Sequence, residues 1–126
     1  HPQIKKEAGP MKLDYLSFLE LEVFTRFGAR LEASVEAKIA RGRVLRAILK
    51  QDRLSPESPE EQLAWLIAFN DHRFDGMEPE EIGDTLAKLD ERVADSGLGL
   101  DDPREKWSQA IAGWMPAPAP EEEAAK

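Results

Sequence analysis

Seven consecutive apolar residues, Leu63-Ala-Trp-Leu-Ile-Ala-Phe69, constrain this chain more than any other stretch. Two helical turns built from such residues have no polar side, so a helix carrying them has to be covered by other elements. A fully buried strand is the competing reading of a short apolar run, and the residues in front decide between the two. Ser58 is suited to cap free backbone amides, Pro59 suits the first helical position, and Glu61 stands three residues after the cap, as a capping box requires. Glu60 and Glu61 also sit at the positive end of the helix dipole. The run is therefore predicted to be the central, buried helix of an all-α domain, a compact bundle of about four to six helices.

Apolar periodicity elsewhere supplies the cover. Asp14 is placed to cap a first helix with the stripe Leu16, Leu19, Val23 and Phe27, widened by Phe18, Leu21 and Phe24. Gly28 would end it in the left-handed conformation. A second helix runs from about Glu32 to Gln51 with Val35, Ile39, Leu45, Ile48 and Leu49 on its buried side, and Gly42 inside it predicts a kink or a close backbone contact. A third begins near Glu78-Pro79, buries Ile82, Leu86, Leu89 and Val93, and breaks at Ser96-Gly97. Asp102 is placed to cap a last short helix at Pro103 that buries Trp107, Ile111 and Trp114. Mixed charge, Gly9 and two prolines make residues 1–12 read as an incoming linker, as though cut from a longer polypeptide, ahead of a helical domain at 13–115. Beyond it, alternating Ala-Pro and the Glu121-Glu-Glu123 run cannot pack, so 116–126 reads as an extended, disordered tail.

The chain has 126 residues, about one domain's worth, and a net charge of -8 that argues against DNA, RNA or an anionic membrane surface as its main partner. It contains no cysteine, which excludes disulfides and thiolate chemistry. No apolar run approaches the roughly 20 residues needed to span a bilayer, and no signal peptide opens the chain, so a soluble, intracellular setting is expected. Phosphate-loop, dinucleotide and H-E-x-x-H zinc motifs are missing. His72 lies in a polar turn and reads as a solvated surface histidine; the acid pairs Glu60–Glu61 and Glu80–Glu81 sit at helix starts, where capping accounts for them. No residue is read as catalytic or as a metal ligand. Arg43, Arg46, Lys50 and Arg53 recur every three or four residues and form one basic stripe on a continuing helix. Such a stripe either attracts an anionic ligand or acidic partner subunit, or is an ordinary solvated face, which is the simpler reading.

Gln3-Ile-Lys-Lys-Glu-Ala-Gly9, Lys12-Leu-Asp14, Leu19-Glu-Leu-Glu-Val-Phe-Thr-Arg-Phe-Gly28, Ile39-Ala-Arg-Gly-Arg-Val-Leu45, Leu49-Lys-Gln51, Leu54-Ser-Pro56 and Glu60-Glu-Gln62 follow one another in a familiar order. In that order and spacing the chain resembles the C-terminal domain of the alpha subunit of the rotary F-type ATP synthase, from about Gln3 to Leu89. From Ala94 onward, including the Trp107 and Trp114 helix and the acidic tail, no clear counterpart is visible.

The resemblance implies a helical crown domain without activity of its own. It would belong to a ring of alternating alpha and beta subunits around a gamma shaft, in the soluble head of an ion-transporting ATP synthase, cytoplasmic and peripheral to the inner membrane. A nucleotide-binding domain would precede it; that domain's phosphate loop and the arginine that reaches the catalytic site of beta are absent from this chain. Gln51 matches the first of two glutamines that touch the adenine of the non-catalytic nucleotide. The second position is Arg53, which would replace that contact by guanidinium stacking. Together with Asp52, it resembles the alternative bacterial and archaeal branch. Glu32, Glu36 and Lys38 fall in the loop and helix that the resemblance turns toward the shaft. No cofactor is implied for the domain alone, and ATP or ADP with magnesium for the intact subunit; alone, the domain is expected to be a monomer. The alternative is a free-standing helical adaptor that binds an acidic partner through Arg43, Arg46, Lys50 and Arg53.

Overall fold

In the computed structural model, which describes residues 1–26, 32–54 and 56–115, the capping box at Ser58 is formed. The Glu61 amide donates to the Ser58 hydroxyl (3.2 Å), and the Ser58 amide donates to the Glu61 carboxylate (2.8 Å). Helix α3, Pro59–Asn70, starts there, and all seven residues of its apolar run are buried. Its cover comes from three directions: α1 (Pro2–Thr25), α4 (Ile82–Ser96) and α5 (Arg104–Trp114) each pack on α3, while α2 (Ala33–Leu54) packs on α1 and α4. Phe18, Leu45, Ile48, Ile82, Leu89, Trp107 and Ile111 are the fully buried side chains that these neighbours bring to the core. Among the described residues there is no strand.

The fourth helix follows its periodicity, with Ile82, Leu86, Leu89 and Val93 buried and Gly97 closing it at φ 74° in the left-handed region. Its first turn, Pro79–Glu81, is 3-10 rather than α. Gly42 makes the close contact that its place inside α2 predicts. The Phe18 ring of α1 lies where a side chain at position 42 would stand.

Helix α1 departs most from expectation. Residues 2–12, read from the sequence as an incoming linker, are helical, and Asp14 lies inside α1 instead of capping it. Pro2 takes a first-turn position, where its missing amide costs nothing, and His1 Nδ1 accepts from the Gln3 amide (3.2 Å). Against the helix stand Pro10, whose interior cost is about 3 kcal/mol, and Gly9, about 1 kcal/mol. Long-range contacts outweigh them. The Gln3 side-chain amide donates to the carbonyls of Leu100 (2.7 Å) and Asp102 (2.9 Å). The buried Glu7 carboxylate accepts from Arg104 Nε (2.8 Å) and Asn70 Nδ2 (2.9 Å).

The same helix is rotated relative to the expected stripe. Glu7, Met11 and Phe18 face the core, whereas Leu16 (59% exposed), Val23 (49%) and Phe24 (54%) point away from it, together with Leu13 and Leu19. The helix offers two apolar rows about half a turn apart, and the fit of Phe18 onto Gly42 selects the row that turns inward.

Two smaller corrections concern the end of the chain. Asp102 does not cap α5; its carboxylate accepts from the Gly99 amide (2.8 Å) and so holds the turn before the helix. Trp114 is half-buried, while Trp107 is fully buried with its indole N–H donated to the Gly99 carbonyl (3.0 Å). The expectations for Phe27, Gly28 and the tail at 116–126 lie outside the described residues.

Candidate interaction surface and nucleotide edge

All the cations singled out in the sequence ride on α2, which the structure extends to Leu54. They do not form one free row. Arg46 turns onto α1: its guanidinium donates twice to the Glu22 carboxylate (2.7 and 2.9 Å) and lies over the Phe18 ring, 4.8 Å from its centroid. These hydrogen bonds hold the Glu22 carboxyl below the usual carboxylate range and push the Arg46 guanidinium upward, with Tyr15 adding to the latter. Arg46 is therefore a pin between two helices, and its charge is already matched. Arg43, Lys50 and Arg53 are exposed. So are Glu32, Glu36 and Lys38 toward the start of α2, where the chain is expected to face partners.

A second arginine, not singled out in the sequence, is the busiest side chain of this helix. Arg41 donates to the Phe69 carbonyl (2.9 Å) and to Asp75 (3.0 Å), and it stands 3.7 Å from the Asp14 carboxylate of α1. Its guanidinium also covers the Phe69 ring at 3.8 Å. It ties α1, α2 and the end of α3 together. The available signal was its phase: positions 41, 45 and 48 share one face of α2, so a cation there meets the core side and needs partners.

Arg41, Lys38 and Arg43 edge an open cavity of about 550 Å³, completed by His72, Asp75 and Glu78 across the turn after α3. His72 is exposed, as expected, but it occupies the left-handed region at φ 63°. Its Nδ1 lies 2.9 Å from Asp75 and 3.2 Å from Arg41. The opposed charges of the rim leave no single sign for a ligand to match.

Gln51, half-buried near the end of α2, turns toward α4. Its side-chain amide lies against Gly83, at 3.5 Å from the point a Cβ there would occupy. It edges a cavity of about 220 Å³ with Glu57, Gly83, Leu86, Ala87 and Asp90. Glu57, Glu61 and Asp90 bring carboxylate oxygens within 4.8 Å of one another there. Glu61 already serves the capping box, and three acids alone do not assign an ion. Arg53 does not join Gln51 in this cavity; it is exposed beside Leu54, which is 71% exposed. The side chain of Asp52 lies outside the described residues.

With this geometry in place, the comparison with known proteins decides the family. Residues 1–100 match the model of the ATP synthase alpha/beta chain, C terminal domain. The chain belongs to this family. An ATP synthase subunit alpha 1 of Legionella pneumophila (strain Paris) is 56% identical over 117 residues, covering 93% of this chain and 24% of that protein. An ATP synthase subunit alpha 1 of Hahella chejuensis (strain KCTC 2396) is 49% identical over 111 residues, 88% of this chain and 22% of that protein. An ATP synthase subunit alpha 1 of Paraburkholderia xenovorans (strain LB400) is 36% identical over 118 residues, 94% of this chain and 21% of that protein. The chain thus spans about a quarter of the length of the curated relatives it matches. No solved structure matches it. No helix of the described residues is long and apolar enough to cross a membrane. The sequence matches identify the C-terminal domain of an ATP synthase alpha subunit, and the described residues are helical.

Proposed function

We propose that this domain is the non-catalytic crown of an ATP synthase alpha subunit in the soluble head of the complex, packing against beta and gamma subunits. The observation that carries the reading is the 56% identity to an alpha subunit across 93% of the chain. On this reading the exposed Glu32, Glu36 and Lys38 at the start of α2 face the shaft, and ATP hydrolysis or synthesis belongs to other parts of the assembly. The adaptor alternative loses its centre, because Arg46 is held by Glu22. The test is to co-express the full-length alpha subunit with beta and gamma, beside a version that lacks this domain. Loss of gamma retention and of coupled ATPase activity from the truncated assembly is the expected result. A truncated alpha that still assembles and couples normally would overturn the crown reading.

At its other end α2 would edge the non-catalytic nucleotide site of the intact subunit, which takes ATP or ADP with magnesium. Arg53, exposed beside Leu54, is free to stack on a base, while Gln51 would reach the ring only from its place against Gly83. Stacking at an exposed site is worth on the order of 1 kcal/mol, so Arg53→Ala should lower bound nucleotide per purified complex several-fold with little change in turnover. Unchanged occupancy in both Arg53→Ala and Gln51→Ala would place the two residues outside any nucleotide site.

A further inference from the structure

We propose that the turn at 100–102 and Arg104 at the start of α5 form a strap that makes the first turns of α1 helical, so that residues 2–10 are a latent hinge held shut from the far end of the chain. The segment is a poor helix by itself. Pro10 has no amide to offer the Lys6 carbonyl one turn back, and Gly9 brings the widest backbone freedom. Nor does packing ask for a glycine there: a Cβ at position 9 would meet nothing within 4 Å.

Asn70 of α3 donates to Glu7, and Ile4 and Ala8 pack on the core, but the ties to the first turn are remote. Gln3 donates to the carbonyls of Leu100 and Asp102, His1 stands 3.3 Å from Asp101, and Glu7 accepts from Arg104. The strap is better anchored than what it holds. Trp107 and Ile111 are fully buried, Arg104 also donates to Asp71 at 2.9 Å, and Ser108 donates to the same carboxylate. Most of the strap lies beyond residues 1–100, which the family model matches, with Leu100 at the boundary. Strapped, residues 2–10 are a rigid continuation of α1; unstrapped, Gly9-Pro10 becomes a joint. On the alpha-subunit reading this joint leads to the nucleotide-binding domain, and the strap fixes the angle between the two. The test does not depend on that reading.

Amide hydrogen exchange on the full chain distinguishes the outcomes. Gln3→Ala removes two ties without touching Asp71. It should lower protection of the amides of residues 5–9 about tenfold or more while those of 86–93 in α4 stay within about twofold. Arg104→Ala should do the same more strongly and open Lys5 and Lys6 to trypsin. Adding Gly9→Ala to Gln3→Ala should restore most of the lost protection, because the hinge itself is then stiffer. Unchanged protection at residues 5–9 in Gln3→Ala overturns the proposal, since the helix of that segment would then not depend on the strap. An equal loss in all helices overturns it too, since the contacts would then serve the whole domain. If Arg104→Ala does not fold, Gln3→Ala and its Gly9→Ala revertant decide alone.

Discussion

Two glycines in helices make opposite demands. At Gly42 any Cβ would overlap the Phe18 ring, including its Cβ, which a rotation of the ring cannot move aside. Gly42→Ala should therefore destabilise by about 1–3 kcal/mol, as overpacked cores do, despite the better helix propensity of alanine. Gly9→Ala has open space and should raise stability by up to about 1 kcal/mol. Urea melts of both variants check the pair, and a Gly42→Ala melt equal to the parent would mean that α1 and α2 are less closely apposed. Asp71 offers a second test. Burial raises its pKa, but the hydrogen bonds from Ser108 and Arg104 together outweigh that effect and hold it below the ordinary value. A carboxylate so depressed contributes stability above its unfolded pKa and loses it as pH falls from about 4 through the lower folded value. Ser108→Ala should accordingly move the acid-unfolding midpoint to higher pH and cost about 1–3 kcal/mol near neutrality. Circular dichroism against pH reads both.

Among the elements, α3 is the one that no neighbour can replace. Leu66→Ala should cost about 2–5 kcal/mol, enough to unfold a marginal domain, and Ser58→Ala about 1 kcal/mol through loss of the cap. Thermal melts within a degree or two of the parent for Leu66→Ala would remove α3 from the centre of the core. This helix was fully legible in the sequence because each of its signals is local: the cap, the proline, the acids and an apolar run with no second side. Helix α4 was legible for the same reason, having only one apolar row. Helix α1 was not. Its start depends on Leu100, Asp102 and Arg104, and its two apolar rows are told apart only by the meeting of Phe18 with Gly42. The basic stripe was legible as a row of charges, but the side on which Arg46 finds Glu22 is a matter of tertiary packing. Gln51 likewise turned inward because α4 offers it the open side of Gly83.

At the scale of the molecule, the outward row of α1 is surplus to the fold of this chain. Leu16→Gln with Val23→Gln should leave the melting free energy within about 0.5 kcal/mol, since both residues are already exposed. A large loss of stability, measured in urea, would show that this row is covered in solution. The ties between Gln3 and the carbonyls of Leu100 and Asp102 also join positions 97 and 99 residues apart. Read in time instead of space, that separation is a delay. A ribosome adding about 5–20 residues per second needs roughly 5–20 seconds to deliver those partners after Gln3 has been made. Throughout that interval the nascent Gly9-Pro10 segment has none of its distant ties, and α3, with its seven apolar residues, is made before α4 and α5 exist to cover it. The order of manufacture therefore leaves the least water-tolerant helix with only α1 to cover it until the later helices arrive.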